Sequence, residues 1–263
     1  MTPLKGSNLR GMDIFAMANQ KGGVGKTANT VNLGAALAEK GRRVLLVDFD
    51  PQGHLSEALA VDETDDERTL RGWLLGEWRE DPAVMVAEHR ENLHVIPTNV
   101  DMSLLERGLY QVNNRERRLA KLLDRFEGSY DVAIIDCAPS LGVITDAALV
   151  AARRSDQRRS GIVVPVEPER SSIRALRLLL RQIGILSVEM DIDLDVLGLV
   201  PSRFGVQDGR SVNSMLKAFR ELGQPPVIAE IRRRTPIREA WEAGQSVIEY
   251  APKSEEAGWY REL

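Results

Sequence analysis

The stretch Asn19-Gln20-Lys21-Gly22-Gly23-Val24-Gly25-Lys26-Thr27 decides the reading of this chain. Before it, residues 12–18 (MDIFAMA) form a short apolar run. After it, a helical pattern runs from Thr27 to Glu39 with Val31, Leu33, Ala35, Ala36 and Leu37 as its apolar positions. Gly41 stops that helix, as glycines past a last helical turn do. The next run, RVLLVDFD at 43–50, is apolar without alternation, which suits a strand covered on both faces. Strand, glycine-rich loop, helix and strand together make a βαβ unit.

The same pattern continues outward. LHVIPT (93–98), YDVAIIDCAPS (130–140), SGIVVPVEPE (160–169), LDVLGLVPSRF (194–204) and PPVIAEI (225–231) read as strands. Helical patterns SSIRALRLLLRQIGIL and SVNSMLKAFREL follow the third and fourth of these. Alternating strands and helices predict an α/β fold, a doubly wound, mostly parallel twisted sheet with helices on both faces. No Pro/Gly/Ser linker divides the chain, so one domain is expected over 12–263. Residues 1–11 read as a flexible N-terminal extension, Met12 being an alternative start.

Composition narrows the classes of function. Of 263 residues, 43% are hydrophobic and 28% charged, an ordinary globular balance. The net charge of −4 excludes a uniformly basic nucleic-acid coat, though not a local patch. No apolar run reaches the roughly 18 residues of a membrane span. Nothing near the N-terminus resembles an export signal, so a cytoplasmic protein is expected. The single cysteine, Cys137, excludes disulfide frameworks and all-cysteine metal sites within the chain. Three histidines without ligand spacing argue against zinc. Charge is uneven: residues 57–91 carry eleven acids against four arginines, whereas 151–182 carry eight arginines against three acids. Residues 200–240 carry eight basic residues against four acids. Either solvated faces or a functional patch accounts for this.

The loop has the chemistry of a phosphate cradle. Glycines let successive backbone N–H groups converge on phosphate oxygens, and the following helix adds its dipole. Lys26 supplies a point charge to the β- and γ-phosphates, and the Thr27 hydroxyl is a hard oxygen ligand for Mg²⁺. The strict G-x-x-x-x-G-K-[ST] spacing fails at Gln20, but K-G-G-x-G-K-[ST] fits in full. Val132-Ala133-Ile134-Ile135-Asp136 looks like a Walker B strand, its aspartate holding Mg²⁺ directly or through water. Val44 to Val47 ends in Asp48-Phe49-Asp50-Pro51-Gln52-Gly53. Ligands of such sheets bind beyond the carboxyl ends of the strands, so the three loops should meet there.

These residues resemble the ParA/MinD superfamily of deviant Walker A ATPases, and most of all small ParA-type DNA-partition ATPases. KGGVGKT, VLLVDFDPQG, VAIIDCAPSLG and IREAWEAGQSVIEYAPKS together span almost the whole chain. The resemblance implies ATP and Mg²⁺ as cofactors, with Gly22, Gly23, Val24, Gly25, Lys26, Thr27 and Ala28 around the phosphates. Lys21 would be the signature lysine, reaching across an ATP-bound homodimer to the partner's nucleotide. Asp50 would orient the attacking water, Asp48 would support the Mg²⁺ shell, and Asp136 would be the Walker B acid.

The resemblance further implies non-specific double-stranded DNA and a ParB-like centromere-binding protein as partners, and a nucleoid-associated location. Arg210, in Asp208-Gly209-Arg210, is the best positional match to a DNA contact, and Arg232, Arg233 and Arg234 add charge nearby. A basic position often tied to DNA binding is Pro236 here. Ala28 stands where relatives usually have threonine. Residues 153–161 (RRSDQRRSG) look like an insertion, read as a mobile loop with an enlarged DNA surface as the alternative. Trp73 and Trp78, with Leu70, Leu74 and Leu75, suit an amphipathic helix packed on the core. A related ATPase that positions a protein cargo stays open. A MinD-like membrane switch is disfavoured by the short, mixed-charge C-terminus.

Overall fold

Apolar runs that are too continuous to face water on either side build the centre of this molecule. The computed structural model describes residues 11–62, 67–98, 100–205 and 209–263. Most of the expected leader, and Asp208, therefore lie outside the described residues.

The chain begins with β1 (Asp13–Met17), α1 (Lys26–Glu39), β2 (Val44–Phe49), α2 (His54–Ala58) and α3 (Leu70–Leu75). It continues through β3 (Ala87–Arg90), β4 (Leu93–Ile96), α4 (Leu105–Leu109), α5 (Arg118–Leu123), β5 (Val132–Cys137) and α6 (Val143–Ala151). Next come β6 (Gly161–Val166), α7 (Arg170–Met190), β7 (Val196–Phe204), α8 (Gly209–Glu221) and β8 (Ile231–Arg232). Three helices, α9 (Thr235–Glu242), α10 (Val247–Tyr250) and α11 (Glu255–Glu262), close the chain.

The sheet order is β3-β4-β2-β5-β1-β6-β7-β8, and every neighbouring pair is parallel except β3 with β4. The doubly wound, mostly parallel sheet expected from the sequence is what the chain forms. All six residues of β2, β5 and β6 are buried, as strands covered on both faces must be. One helical layer holds α3 to α8, with Leu74, Leu122, Leu149, Leu179 and Phe219 in its core. The other holds α1, α2 and the three C-terminal helices, with Val31, Leu55, Val247 and Tyr260.

Four local features refine the sequence reading. The antiparallel strand β3 (AEHR) carries no apolar alternation and was not expected. The expected strand 225–231 contracts to Ile231 in β8 and an isolated bridge from Val227 to Leu199, because Pro225 and Pro226 bring no N–H to a ladder. The 70–75 segment packs as expected. Thr69 caps α3 by accepting from Gly72 N, Leu70 and Leu74 are buried, and Trp73 and Trp78 lie against the core. The 153–161 insertion is tied to the fold rather than loose. Gly11 N donates to Gln157 O at 2.9 Å, and Arg159 N donates to the Asp13 carboxylate at 2.7 Å. Arg158, whose side chain is only 6% exposed, lies 3.7 Å from Asp124 and 3.5 Å from Glu127.

Candidate functional site

Beyond the carboxyl ends of β1, β2, β5 and β7 lies a cleft of about 490 Å³. The phosphate loop forms one wall, the end of β7 a second, and β8 with α9 a third. The loop turns into α1 through Gly23 (φ 74°) and Gly25 (φ 93°), left-handed conformations that favour glycine. A Cβ on Gly25 would also come within 3.3 Å of Ser202 Cβ. Gly22 and Gly23 are exposed at the loop's open edge, and Val24 is buried beneath it. Ala28 faces the cleft.

Lys26 opens α1 and is buried, with its ammonium donating to Lys21 O at 3.3 Å. Burial lowers its pKa, against the opposing pull of Asp136 and Asp50. An ammonium curled back over its own loop is poised to exchange that carbonyl for phosphate oxygens.

Parallel register sets Asp48 of β2 directly beside Asp136 of β5, and both are fully buried. Their environments differ. Asp48 accepts from Ser56 N at 2.8 Å and from Ser56 Oγ at 2.6 Å, so its carboxylate is occupied by α2. Burial nevertheless pushes its pKa up to about 6, with the Ser56 hydrogen bonds opposing. Neither oxygen of Asp136 has a hydrogen-bond partner. Burial first, and the Asp48 carboxylate second, push its pKa well above the usual carboxylate range, while the Thr27 side chain and Lys26 pull the other way.

Two orphaned carboxylate oxygens beside a threonine hydroxyl form a hard-oxygen donor set, which fits Mg²⁺. No cluster of three or more His, Cys, Asp or Glu that could hold a metal occurs among the described residues. The fit is therefore to an ion held mainly by substrate phosphates and water. Asp50 is buried at the cleft wall and accepts from Gln52 N at 3.0 Å.

Lys21 does not line this cleft. Its ammonium donates to Glu167 at 2.8 Å and to Glu169 at 2.6 Å, both just beyond β6. Burial lowers its pKa, but these two carboxylates outweigh that and hold it above the usual lysine value.

Of the four arginines expected to contact DNA, three line the cleft and one does not. Arg232, Arg233 and Arg234 line the nucleotide-side cleft, and Arg234 lies 3.8 Å from Glu256. Arg210 is exposed at the start of α8, outside the cleft lining.

Sequence reasoning missed Arg203 as a site residue. It holds a left-handed backbone (φ 60°) at the end of β7, and its guanidinium donates to Gly23 O at 2.7 Å. The motif carries no sign of this, since the contact joins positions 180 residues apart. Cys137 behaves as expected of a packed small residue: it is buried, and burial raises its thiol pKa.

A family model described as an AAA domain matches residues 12–196. The sporulation initiation inhibitor protein Soj of Bacillus subtilis is 34% identical over 253 residues, covering 95% of this chain and 96% of that protein. The chromosome partitioning protein ParA of Caulobacter vibrioides is 36% identical over 241 residues, covering 90% and 86%. A solved structure titled cobyrinic acid a,c-diamide synthase from Mycobacterium smegmatis, with bound ATP analogue and magnesium, superposes with a TM-score of 0.80. It is 34% identical and covers 95% of this chain and 92% of its own. The chain belongs to the ParA/MinD superfamily of ATPases. It is an ATPase, and ATP and Mg²⁺ are its cofactors.

Proposed function

We propose that this ATPase is a ParA-type switch that binds DNA as an ATP-bound homodimer and segregates plasmid or chromosomal DNA. A ParB-like centromere-binding partner would accelerate its hydrolysis, and it would work in the cytoplasm on the nucleoid. The observation that carries this reading is the position of Lys21. It sits at the open edge of the phosphate loop, with its ammonium outside its own cleft and on neighbouring acids. A lysine so placed can serve a nucleotide in a facing subunit better than its own.

The chemistry needs positioning and charge neutralisation rather than a covalent step. The loop N–H groups from Gly22 to Ala28 and the α1 dipole would bind the phosphates, and Lys26 would neutralise the β- and γ-oxygens. Thr27 and Asp136 would hold Mg²⁺, with Asp48 keeping the adjacent loop in place through Ser56. When bound, Mg²⁺ supplies further neutralisation of phosphate charge. Asp50 would orient the attacking water. Lys21 would leave Glu167 and Glu169 for the partner's phosphates, so ATP favours association by mass action. Loss of the γ-phosphate removes that contact and reverses the switch.

Arg210, with Arg232 to Arg234 at the cleft rim, would contribute phosphate contacts to DNA. A membrane-switch reading gains no support from α11. That helix buries Ala257 and Tyr260, and Arg261 pairs with Glu39 at 2.6 Å. No helix among the described residues is long and apolar enough to cross a membrane. The test is binding to non-specific duplex DNA with ATP, ADP and no nucleotide, at two salt concentrations. ATP-dependent, salt-sensitive binding is expected. Absence of binding in every state, with ATP-driven dimerisation intact, would overturn the DNA track.

A further inference from the structure

Helix α7 carries four arginines, at 170, 174, 177 and 181, and one acid, Glu189. All four arginines are exposed. Steps of four, three and four residues place them within an arc of about 60° and along about 16 Å of the helix. The buried side chains Ser172, Ala175, Leu176, Leu179, Ile183 and Leu186 occupy the opposite face. Among the described residues none of the four makes an ion pair.

This arrangement works against the helix that bears it. Like charges three and four residues apart repel. Arg170 stands at the N-terminal end, where the helix dipole opposes a cation, and the first turn contains no acid. An ordinary solvated helix face mixes both signs and gains from i,i+4 pairs. The guanidinium forks of α7 instead present one sign in one line, and each fork matches a phosphate.

We infer that the α7 arginine line is a phosphate-contacting surface for the backbone of duplex DNA. The inference rests on the DNA-tracking reading above and moves its main contact from the cleft rim to this helix face. Double-stranded DNA carries one charge per roughly 1.7 Å of axis, so a 16 Å line of four cations lies opposite about nine phosphate charges, enough to give every guanidinium a partner. An acidic protein partner fits less well. The arginine segment is a convex helix face whose one exposed large apolar side chain is Leu178, so it offers no pocket for an anchoring residue.

The experiment compares full-length protein with the triple variant Arg174→Ala/Arg177→Ala/Arg181→Ala. A charge-matched control, Arg107→Ala/Lys121→Ala/Arg125→Ala, removes three exposed cations elsewhere. Affinity for non-specific duplex DNA is measured with ATP across a salt series, and Tm together with Mg–ATP affinity checks that each fold is intact. The α7 variant should bind about tenfold or more weakly, and its plot of log affinity against log salt should be flatter by about two to three. The control should match the parent. An α7 variant with unchanged affinity and slope overturns the inference while leaving the DNA reading standing, and equal losses in variant and control overturn it as well. A parent protein that binds no DNA with ATP overturns the DNA reading itself.

Discussion

At the carboxyl ends of the strands, charged groups are buried together and left short of partners. At the amino ends, charged groups face partners of opposite sign, although Arg158 Nη1 is buried there without a hydrogen bond. Asp136 has two orphaned oxygens beside Asp48, Asn29 Oδ1 is buried without a partner, and Arg203 stands in a left-handed backbone. At the other end Arg43 donates to both Asp131 oxygens and to Gly128 O. Arg158 sits between Asp124 and Glu127, and the 153–161 segment is stitched to Gly11 and Asp13. The same sheet thus has one end arranged for stability and one that forgoes stability until a polyanion and a cation arrive.

The sharpest test of that contrast is a pair of substitutions. Lys26→Ala should weaken Mg–ATP binding by about ten- to a hundredfold, the worth of a charge-assisted contact, and should cost little folding stability. Arg158→Ala should do the reverse. Its carboxylate partners are nearly half exposed, which screens the pair, so the loss is about 1–2 kcal/mol in thermal or denaturant unfolding with ATP affinity unchanged. Equal ATP losses in both variants would break the contrast.

Protonation offers a second test. Asp48 titrates near 6 when folded against 3.8 when free. Between about pH 4 and pH 6 the unfolded chain has released this proton and the folded chain still holds it. Nucleotide-free stability therefore falls as pH rises through that window, by up to about 3 kcal/mol from this group. Asp136, raised for the same reason, extends the fall to higher pH. Asp136→Asn should raise the Tm of the nucleotide-free protein, with a gain over the parent that grows with pH, and should abolish turnover. A gain that is absent or shrinks with pH would show that the buried charge is not a cost.

The smallest expected effect concerns Lys21. Glu167→Gln/Glu169→Gln frees a lysine held by half-exposed pairs, each worth about 1 kcal/mol or less. ATP-driven dimerisation should then need a few-fold lower protein concentration, as read by sedimentation. A higher requirement would mean that these acids position Lys21 rather than restrain it.

Sheet and phosphate loop were legible because the physics behind them is local. Continuous apolar runs such as VLLVDF and VAIIDC can only be doubly covered strands, and a KGGVGKT turn between strand and helix has few uses. The unreadable parts are those decided at a distance. The Lys21 contacts span 146 and 148 residues, and the Arg203 contact spans 180. Strand β3 has no apolar period of its own and exists because β4 offers it an edge. The run of arginines at 232–234 showed its charge in the sequence, but only the fold brings it to the cleft rim.

Both borders of the sheet are poor templates. On one side β3 is four residues long, bears Glu88 and Arg90, and is joined to β4 with a register shift. On the other, β8 is two residues long. Short, charged and irregular borders leave few free N–H and C=O groups for a strand from another copy. A strand from another copy therefore finds little backbone to pair with, and sheet extension, a mode of association that is hard to reverse, is disfavoured.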